Sequence, residues 1–234
     1  MKFKKILSFI LLLSLCTILA QASNISSKRV TTITVQSAEY TYHYTLKYDS
    51  QNRITTAIPD NSEIFGTTHF EYDTNTFRIS KGDQFVSCSL NEQGYIKVAE
   101  DGGFPVTFFG NMFYNEKGQL SSIENENGKM LFTWKNDDMV QMNYEGQQID
   151  VTYTTLENKN KFGLFLKIDD INCTLVYPYY ARLGKATKHL PASIGQGEQK
   201  ISYQYKTDNE GFVIEIAMIY PNNGKTVFYR FAYD

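Results

Sequence analysis

The sequence holds few of the residues from which metal centres and catalytic sites are usually built. It contains three cysteines, three histidines and one tryptophan among 234 residues. Neither Cys88 nor Cys173 has a second cysteine or a histidine nearby at the spacing of a metal-ligand pair. We also find no nucleophile elbow, phosphate-binding loop or zinc signature. We therefore expect no metal, no cofactor and no enzymatic activity.

An excess of positive charge is missing as well. The chain has 23 lysines and arginines against 25 aspartates and glutamates, a net charge of −2. Loss of the first 22 residues would remove three lysines and leave 20 basic residues, a net charge of −5. The basic residues are scattered singly among turns and polar strand positions rather than clustered, so we expect no nucleic-acid partner.

Long apolar runs are equally scarce, and the clearest one lies at the start of the chain. The run Ile6–Leu15 follows three lysines and precedes Ala20-Gln21-Ala22. This order is typical of a Sec signal peptide ending at residue 22, and the run is shorter than the roughly 20 residues that span a bilayer. We therefore expect residues 1–22 to be a signal peptide and the protein to be exported to the periplasm, the cell surface or the extracellular space.

Two alternatives concern cysteine. Lipoprotein processing at Cys16 is possible in outline, but Leu15 is bulkier than the small residue that the motif requires. In an exported protein Cys88 and Cys173 can form a disulfide, or they can be two buried, unreactive thiols on separate strands. The sequence leaves both questions open.

The chain is rich in aromatic residues and in a repeated turn. Of its residues, 17 are tyrosine and 16 are phenylalanine. Tyr48-Asp49 opens a turn that recurs at Tyr72-Asp73, and looser copies begin at Leu90-Asn91, Tyr114-Asn115 and Tyr205 to Asp208. Each copy stands between runs that alternate apolar and polar residues, which is the pattern of a β-hairpin.

The alternating runs predict the fold class. Tyr42 to Tyr48 is one example, and in Phe212–Tyr220 the even-numbered residues are predicted to share an apolar face. We expect an all-β protein, a meander of a dozen or more antiparallel strands that curls into a barrel or half-barrel with porin-like topology. Residues 23–234 are predicted to form a single hairpin-repeat domain, interrupted by one short helix and a loop near 177–199.

The irregular segment supplies the candidate binding residues. Tyr179, Tyr180, Arg182 and His189 combine stacking surface, charge and irregular backbone, and we predict that they contact a ligand. A simple crossover connection is the alternative explanation of this segment. His43 and His69 stand singly in strand-like runs, which is typical of structural histidines.

Paired acids are the only hint of hydrolysis. Asp137-Asp138 and Asp169-Asp170 invite comparison with glycosidases, but neighbours in a turn normally cap backbone groups. Trp134 is predicted to face the core with Met130 and Phe132.

The turn motifs resemble the tyrosine-aspartate repeats of Rhs-type shell proteins. The leader, the hairpin succession, the segment Leu183–Pro191 and the hairpin from Tyr203 to Gly211 resemble a secreted Bacteroides family of unknown function with a porin-like fold. The resemblance implies a many-stranded antiparallel sheet curled toward a barrel, and it implies no activity.

We interpret the protein as an exported, non-catalytic binding or scaffold protein of the cell envelope, with a small molecule, a glycan or a peptide as its unknown partner. We do not expect membrane insertion, because tyrosine occupies mid-strand positions and the opposite strand face is polar. An outer-membrane β-barrel is the first alternative, and a hydrolase with an unrecognised carboxylate site is the second.

Overall fold

The computed structural model describes residues 28–106, 108–161, 177–221 and 224–234. The predicted signal peptide, Cys16, Asp169, Asp170 and Cys173 lie outside these ranges. The described residues contain sixteen strands: β1 Val30–Gln36, β2 Thr41–Tyr48, β3 Ile54–Pro59, β4 Thr68–Tyr72, β5 Thr76–Lys81, β6 Gln84–Leu90, β7 Ile96–Gly102, β8 Gly110–Tyr114, β9 Leu120–Asn125, β10 Gly128–Lys135, β11 Asp138–Tyr144, β12 Gln147–Glu157, β13 His189–Gly195, β14 Ile201–Thr207, β15 Val213–Ile219 and β16 Thr226–Tyr233.

The strands form one closed antiparallel barrel. Each strand pairs with its neighbours in the sequence, and β1 pairs with β16 to close the sheet. This confirms the predicted all-β meander and shows that it closes into a full barrel, so that none of the described strands has an unpaired edge. Two short helices, α1 Ser62–Phe65 and α2 Tyr177–Tyr180, also lie in the described residues. Neither is long and apolar enough to cross a membrane.

Alternation along the strands separates the inner from the outer face. On β2, Tyr44 and Leu46 are buried while His43, Thr45 and Lys47 are exposed. On β10, Met130, Phe132 and Trp134 are the less exposed set, as predicted. The aromatic face therefore points inward, as the period of two requires.

The interior is filled by residues that do not belong to strands. Tyr179 and Tyr180 of α2, the following Leu183, and Phe104 and Phe108 of the β7–β8 loop all belong to the buried core cluster. The Tyr179 hydroxyl donates to the carbonyl of Phe108, and the Phe108 and Tyr180 rings meet edge to face at 6.0 Å. A sheet of sixteen strands encloses more space than strand side chains alone fill, so the inserted aromatics complete the core.

The repeated turn has one backbone geometry in four of its five predicted copies; the copy at Tyr72-Asp73 is a shorter turn in which the Asp73 amide donates to the Thr76 carbonyl at 3.0 Å. In each of the four, an Asp or Asn side-chain oxygen accepts from the amides two and four residues later, at 2.9–3.1 Å. The residue three positions on has positive φ, which asparagine or glycine tolerates. The accepting residues are Asp49, Asn91, Asn115 and Asp208.

Aromatic residues of the even-numbered strands make a second set of contacts at this end of the barrel. Near the end of seven even-numbered strands, an aromatic N–H or O–H donates to a carbonyl at or near the start of the strand before it, which pins each hairpin at this end. We call these contacts aromatic clamps, and the end of the barrel that carries them the clamped rim; the opposite end is the hairpin rim. The donors are Tyr48, Tyr72, Tyr114, Trp134, Tyr153, Tyr205 and Tyr233. The exception is β6, which ends on Leu90.

Three details of the sequence analysis are corrected. The predicted loop within 177–199 contains β13, where Pro191 is accommodated because its partner Tyr153 lies at a register shift. The helix α1 was not predicted. The expected inward face of β15 is wrong at Ile214: Val213 is fully buried and Ile214 is 36% exposed, because a bulge opposite Lys206 and Thr207 shifts the alternation.

Candidate functional site

Residues 177–188, which we call the rim segment, run along the clamped rim and are bonded to successive turns. The Ile96 amide donates to the Arg182 carbonyl at 3.0 Å. The Lys185 amide donates to the Gly118 carbonyl at 2.8 Å, and the Lys188 amide donates to the Asp137 carbonyl at 3.0 Å. The backbone of the segment is therefore attached to the barrel at three places, at the start of β7 and in the two turns that follow on this rim.

Arg182 fixes the segment near β5 and β6, the one pair of described strands joined at the hairpin rim that lacks an aromatic clamp. Its Nη1 donates to the Gly94 carbonyl at 3.0 Å, in the turn that follows Leu90. Its guanidinium stands 5.0 Å from the centre of the Tyr72 ring and 4.9 Å from that of Phe77. Burial lowers the pKa of this guanidinium from its ordinary value, but arginine stays protonated in proteins, so the contacts are cation–π interactions.

Gly184 permits the closest approach between the segment and the barrel. A Cβ at this position would lie 2.7 Å from the Gly118 carbonyl oxygen and 2.8 Å from a Tyr114 ring carbon. The residue also has φ of +96°, in the region that favours glycine. A larger residue therefore cannot be placed here without moving the segment away from the rim.

His189 and Asp138 hold the end of the segment. One Asp138 carboxylate oxygen accepts from the His189 amide at 2.9 Å, and the other lies 2.7 Å from His189 Nδ1. Asp138 is 7% exposed. The pair joins the start of β13 to the start of β11 across the end of β12.

A cavity of about 500 Å³, which we call the rim pocket, opens beside the segment. Its wall combines one aromatic side chain with several polar and charged ones. Asp137 belongs to it and accepts from Gln119 Nε2 at 2.9 Å, with Lys185 Nζ at 3.5 Å. Asn158 is buried, and its amide donates to the Thr187 carbonyl at 3.1 Å. The lining residues are Tyr95, Asp137, Glu157, Asn158, Lys161, Ala181, Gly184, Lys185, Ala186, Thr187 and Lys188.

The four predicted ligand residues all lie in or next to the segment, but they do not form one open patch. Tyr179 and Tyr180 are 0% and 1% exposed and belong to the core. Burial raises the pKa of the Tyr179 hydroxyl well above its ordinary value. Arg182 and His189 are half-buried and attach the segment to the barrel. Their contact with a ligand stays a prediction, and the structure gives each of the four a structural role.

Sequence reasoning missed the residues that line the rim pocket. Tyr95 and Lys185 are 90 positions apart and meet only because the segment crosses the turn at 91–95. The signal that was present is the run Leu183-Gly184-Lys185 inside an irregular stretch, where glycine marks a close backbone approach.

The acid pair Asp137-Asp138 does not act as a unit. Asp137 faces Gln119 and Lys185, whereas Asp138 binds His189. Within the described ranges, no group of three or more histidine, cysteine, aspartate or glutamate residues could hold a metal ion. Cys88 is a buried, free thiol, and burial raises its pKa to about 12.

Comparison with known proteins shows which solved structures share the fold. No family model matches the chain, and no curated protein matches it. The structure is similar to that of a porin-like protein from Bacteroides uniformis, with a TM-score of 0.57 and 18% sequence identity over 88% of this chain and 96% of that one. The fold is porin-like. A porin-like protein from Bacteroides vulgatus gives a TM-score of 0.48 and 12% identity, over 88% of this chain and 99% of that one.

At this level of identity the similarity establishes fold and no activity. It agrees with the predicted resemblance to porin-like Bacteroides proteins. The resemblance to Rhs-type repeats stays a hypothesis from the sequence.

Proposed function

We propose that the protein is an exported, non-catalytic binding protein of the cell envelope that takes a small ligand into the rim pocket. The observation that carries this proposal is the construction of that pocket. Its walls come from the rim segment, from Tyr95 at the end of an Asx turn, from Asp137 in the β10–β11 turn, and from the end of β12 with the residues that follow it. A cavity of about 500 Å³ with one aromatic and several polar side chains on fixed backbone is suited to recognising a small molecule.

The outer surface supports a protein that works in water. On β14, Ser202, Gln204 and Lys206 face outward, while Tyr203 and Tyr205 pack against the core. Fifteen of the strands have five to eight residues, whereas a strand that spans a bilayer needs about 9–11. A lipid-facing band also requires apolar side chains at mid-strand.

An outer-membrane barrel is the second candidate, and one observation favours it. The sheet is closed, and its described strands expose five large apolar side chains. The most exposed are Phe113 at 46% and Leu131 at 47%, and the others are Ile149, Leu156 and Ile214 at 36–38%. Phe113 and Leu131 flank Ser122, which pairs with both of them across β9. Phe113 and Leu131 make a small patch, and five exposed residues on sixteen strands do not make a continuous band around the barrel.

A hydrolase is the third candidate, because Asp137 and Glu157 both line the rim pocket. Asp137 is occupied by Lys185 and Gln119, which is the environment of a structural carboxylate. We therefore propose binding without turnover.

The first experiment is to express residues 23–234 without detergent and to measure size-exclusion chromatography with light scattering and far-UV circular dichroism. A β-rich monomer or small oligomer is expected. Aggregation that only detergent or lipid relieves would favour the membrane barrel instead.

The second experiment tests the pocket. Backbone amide NMR spectra are recorded with a library of small soluble compounds. Ligands are expected to shift the signals of Tyr95, Asn158 and Lys185. A library that shifts only signals elsewhere, or none, would contradict the proposed function.

A further inference from the structure

Resting on the proposed function, we propose that the rim pocket recognises an anionic small molecule, a ring compound that carries a carboxylate or a sulfate group. The inference starts from the charges on the pocket wall. Three lysines, Lys161, Lys185 and Lys188, line it with two carboxylates, Asp137 and Glu157. The described residues of the pocket wall therefore carry an excess of positive charge, in a chain whose net charge is −2.

One of the two carboxylates already has its counterions. Asp137 Oδ1 lies 3.5 Å from Lys185 Nζ and 4.0 Å from Lys117 Nζ, and it accepts from the Gln119 amide group. These contacts leave little of its negative charge to repel an incoming anion. Lys117 adds a fourth ammonium group close to the pocket.

The other two lysines are available to a ligand. Both Lys161 and Lys188 have exposed side chains, and among the described residues neither takes part in an ion pair. Their backbones are fixed: the Lys161 amide donates to the Asn158 carbonyl at 3.1 Å, and the Lys188 amide donates to that of Asp137 at 3.0 Å. Glu157 opposes them as a single carboxylate.

The aromatic wall explains why the ligand should contain a ring. The Tyr95 ring is half-buried and lies 5.4 Å from that of Tyr114, tilted by 33°. The Gly118 backbone packs against its edge, where a Cβ would be 3.1 Å from a Tyr95 ring carbon. A ring held in this way offers a flat surface on which a sugar or an aromatic ring stacks, while the ammonium groups pair with its acidic substituent.

The test uses matched probes that differ in charge. Glucuronate and glucose 6-sulfate are compared with glucose, and benzoate with benzyl alcohol, each titrated to tens of millimolar while backbone amide signals are followed. The anionic member of each set is expected to shift the signals of Tyr95, Lys185 and Lys188, and its affinity is expected to fall as salt is raised. The sulfate and carboxylate arms distinguish the two acidic groups.

Variants locate the charge that matters. Lys188→Gln and Lys161→Gln are each expected to weaken binding of the anionic probe by roughly three- to tenfold, the range for a partly exposed charge pair. Lys47→Gln is the control, because it removes the same charge from an exposed strand position outside the pocket.

The possible outcomes distinguish a failure of the anionic-ligand inference from a failure of the proposed binding function. If the neutral probes bind in the pocket as tightly as the anionic ones, or if the lysine variants bind normally, the inference is wrong and the binding function stands. If no probe shifts the pocket residues, or if all of them bind elsewhere, both are overturned.

Discussion

The two rims of the barrel are built from the same strands, but side-chain bonds to the backbone are more regular at one of them. At the clamped rim, Asx turns of one geometry close four of the loops, and aromatic clamps pin strands together in seven places. At the hairpin rim, Glu145 and Gly146 both have positive φ in a two-residue turn, and Tyr40 stacks on Tyr42 at 4.9 Å. Side-chain bonds to backbone occur there too, from the Tyr144 hydroxyl to the Asn127 carbonyl and from the Asn127 amide to the Asn125 side chain. In the described loops of this rim, however, no side chain accepts from both the second and the fourth following amide, as it does in the Asx turns of the clamped rim.

The difference explains where the rim segment lies. A connection of 31 residues between β12 and β13 leaves the clamped rim and must return to it. The described part of it bonds to the Ile96 amide at the start of β7, to the Gly118 carbonyl in an Asx turn and to the Asp137 carbonyl in the short β10–β11 turn. Short, hydrogen-bonded turns and strand ends thus provide the rigid base on which a binding pocket can form.

The largest expected loss of stability comes from adding a side chain at Gly184, where the rim segment packs closely against the barrel. In Gly184→Ala, the Cβ meets the Gly118 carbonyl at 2.7 Å, and φ of +96° adds strain. We expect a loss of about 2–4 kcal/mol in the free energy of unfolding, from roughly 1 kcal/mol of strain plus overpacking. Urea unfolding followed by circular dichroism measures it, and ligand binding to the rim pocket should be lost in parallel.

Gly146→Ala at the hairpin rim is the matched control. Its φ is +82° and nothing lies within 4 Å of the added Cβ, so only the strain of about 1 kcal/mol is expected. Equal losses in the two variants would mean that the segment does not depend on its contact with the clamped rim.

The contrast between the rims also marks what the sequence could predict. Alternation on β2 and the Asx residues at 49 and 115 act over a few positions, so strands and turns were predictable. The clamps were not, because the Tyr114 hydroxyl bonds a carbonyl 18 residues earlier, which depends on register. Closure into a full barrel was left open for the same reason: β1 and β16 are almost the whole chain apart.

The candidate site was predictable only in part. The irregular backbone near Arg182 and His189 pointed to the right segment, but Tyr179 and Tyr180 turned out to fill the core. A short aromatic run has the same sequence pattern whether it faces solvent or fills the interior of a barrel that strand side chains alone do not fill. Lys185 and Lys188 carried no distinguishing pattern, since scattered lysines are usual on a protein surface.

A smaller effect should follow from removing one clamp. In Tyr114→Phe, the Ile96 carbonyl loses a partner at 2.6 Å in a partly buried position, so we expect a loss of about 1–2 kcal/mol. Burial raises the pKa of Tyr114, so the hydroxyl stays protonated and able to donate at neutral pH.

Tyr144→Phe provides the comparison at the hairpin rim. Tyr144 donates to the Asn127 carbonyl at 2.6 Å, but this contact is exposed to water, which can replace the lost partner. Its loss should cost less than about 0.5 kcal/mol. Chemical denaturation of both variants measures the difference. A cost at Tyr144 as large as that at Tyr114 would remove the distinction between clamped and unclamped ends.

The smallest expected effect concerns a charge cluster on the outer face of β14–β16. Glu215 lies 2.7 Å from Lys206 Nζ and 2.7 Å from Arg230 Nε. Hydrogen bonds from Lys206 and Arg230 lower the pKa of Glu215 below its ordinary value of 4.5. A lowered pKa stabilises the folded state above pH 4.5, and this contribution is lost as the pH falls through the folded-state value.

We therefore expect Glu215→Gln to cost about 0.5–1 kcal/mol at pH 7, within the range for solvent-accessible ion pairs. The difference in melting temperature between wild type and variant, measured by thermal unfolding with circular dichroism, should become smaller below pH 4.5. Glu39→Gln, which removes a pair with Lys225 at 3.4 Å on a 74% exposed side chain, should change stability little at either pH. A stability difference between wild type and Glu215→Gln that stays constant from pH 7 to pH 3 would mean that the effect comes from packing rather than from charge. The pH dependence of the barrel would then have to come from other carboxylates, such as Asp49, whose pKa is lowered by its bonds to the Arg53 amide and side chain.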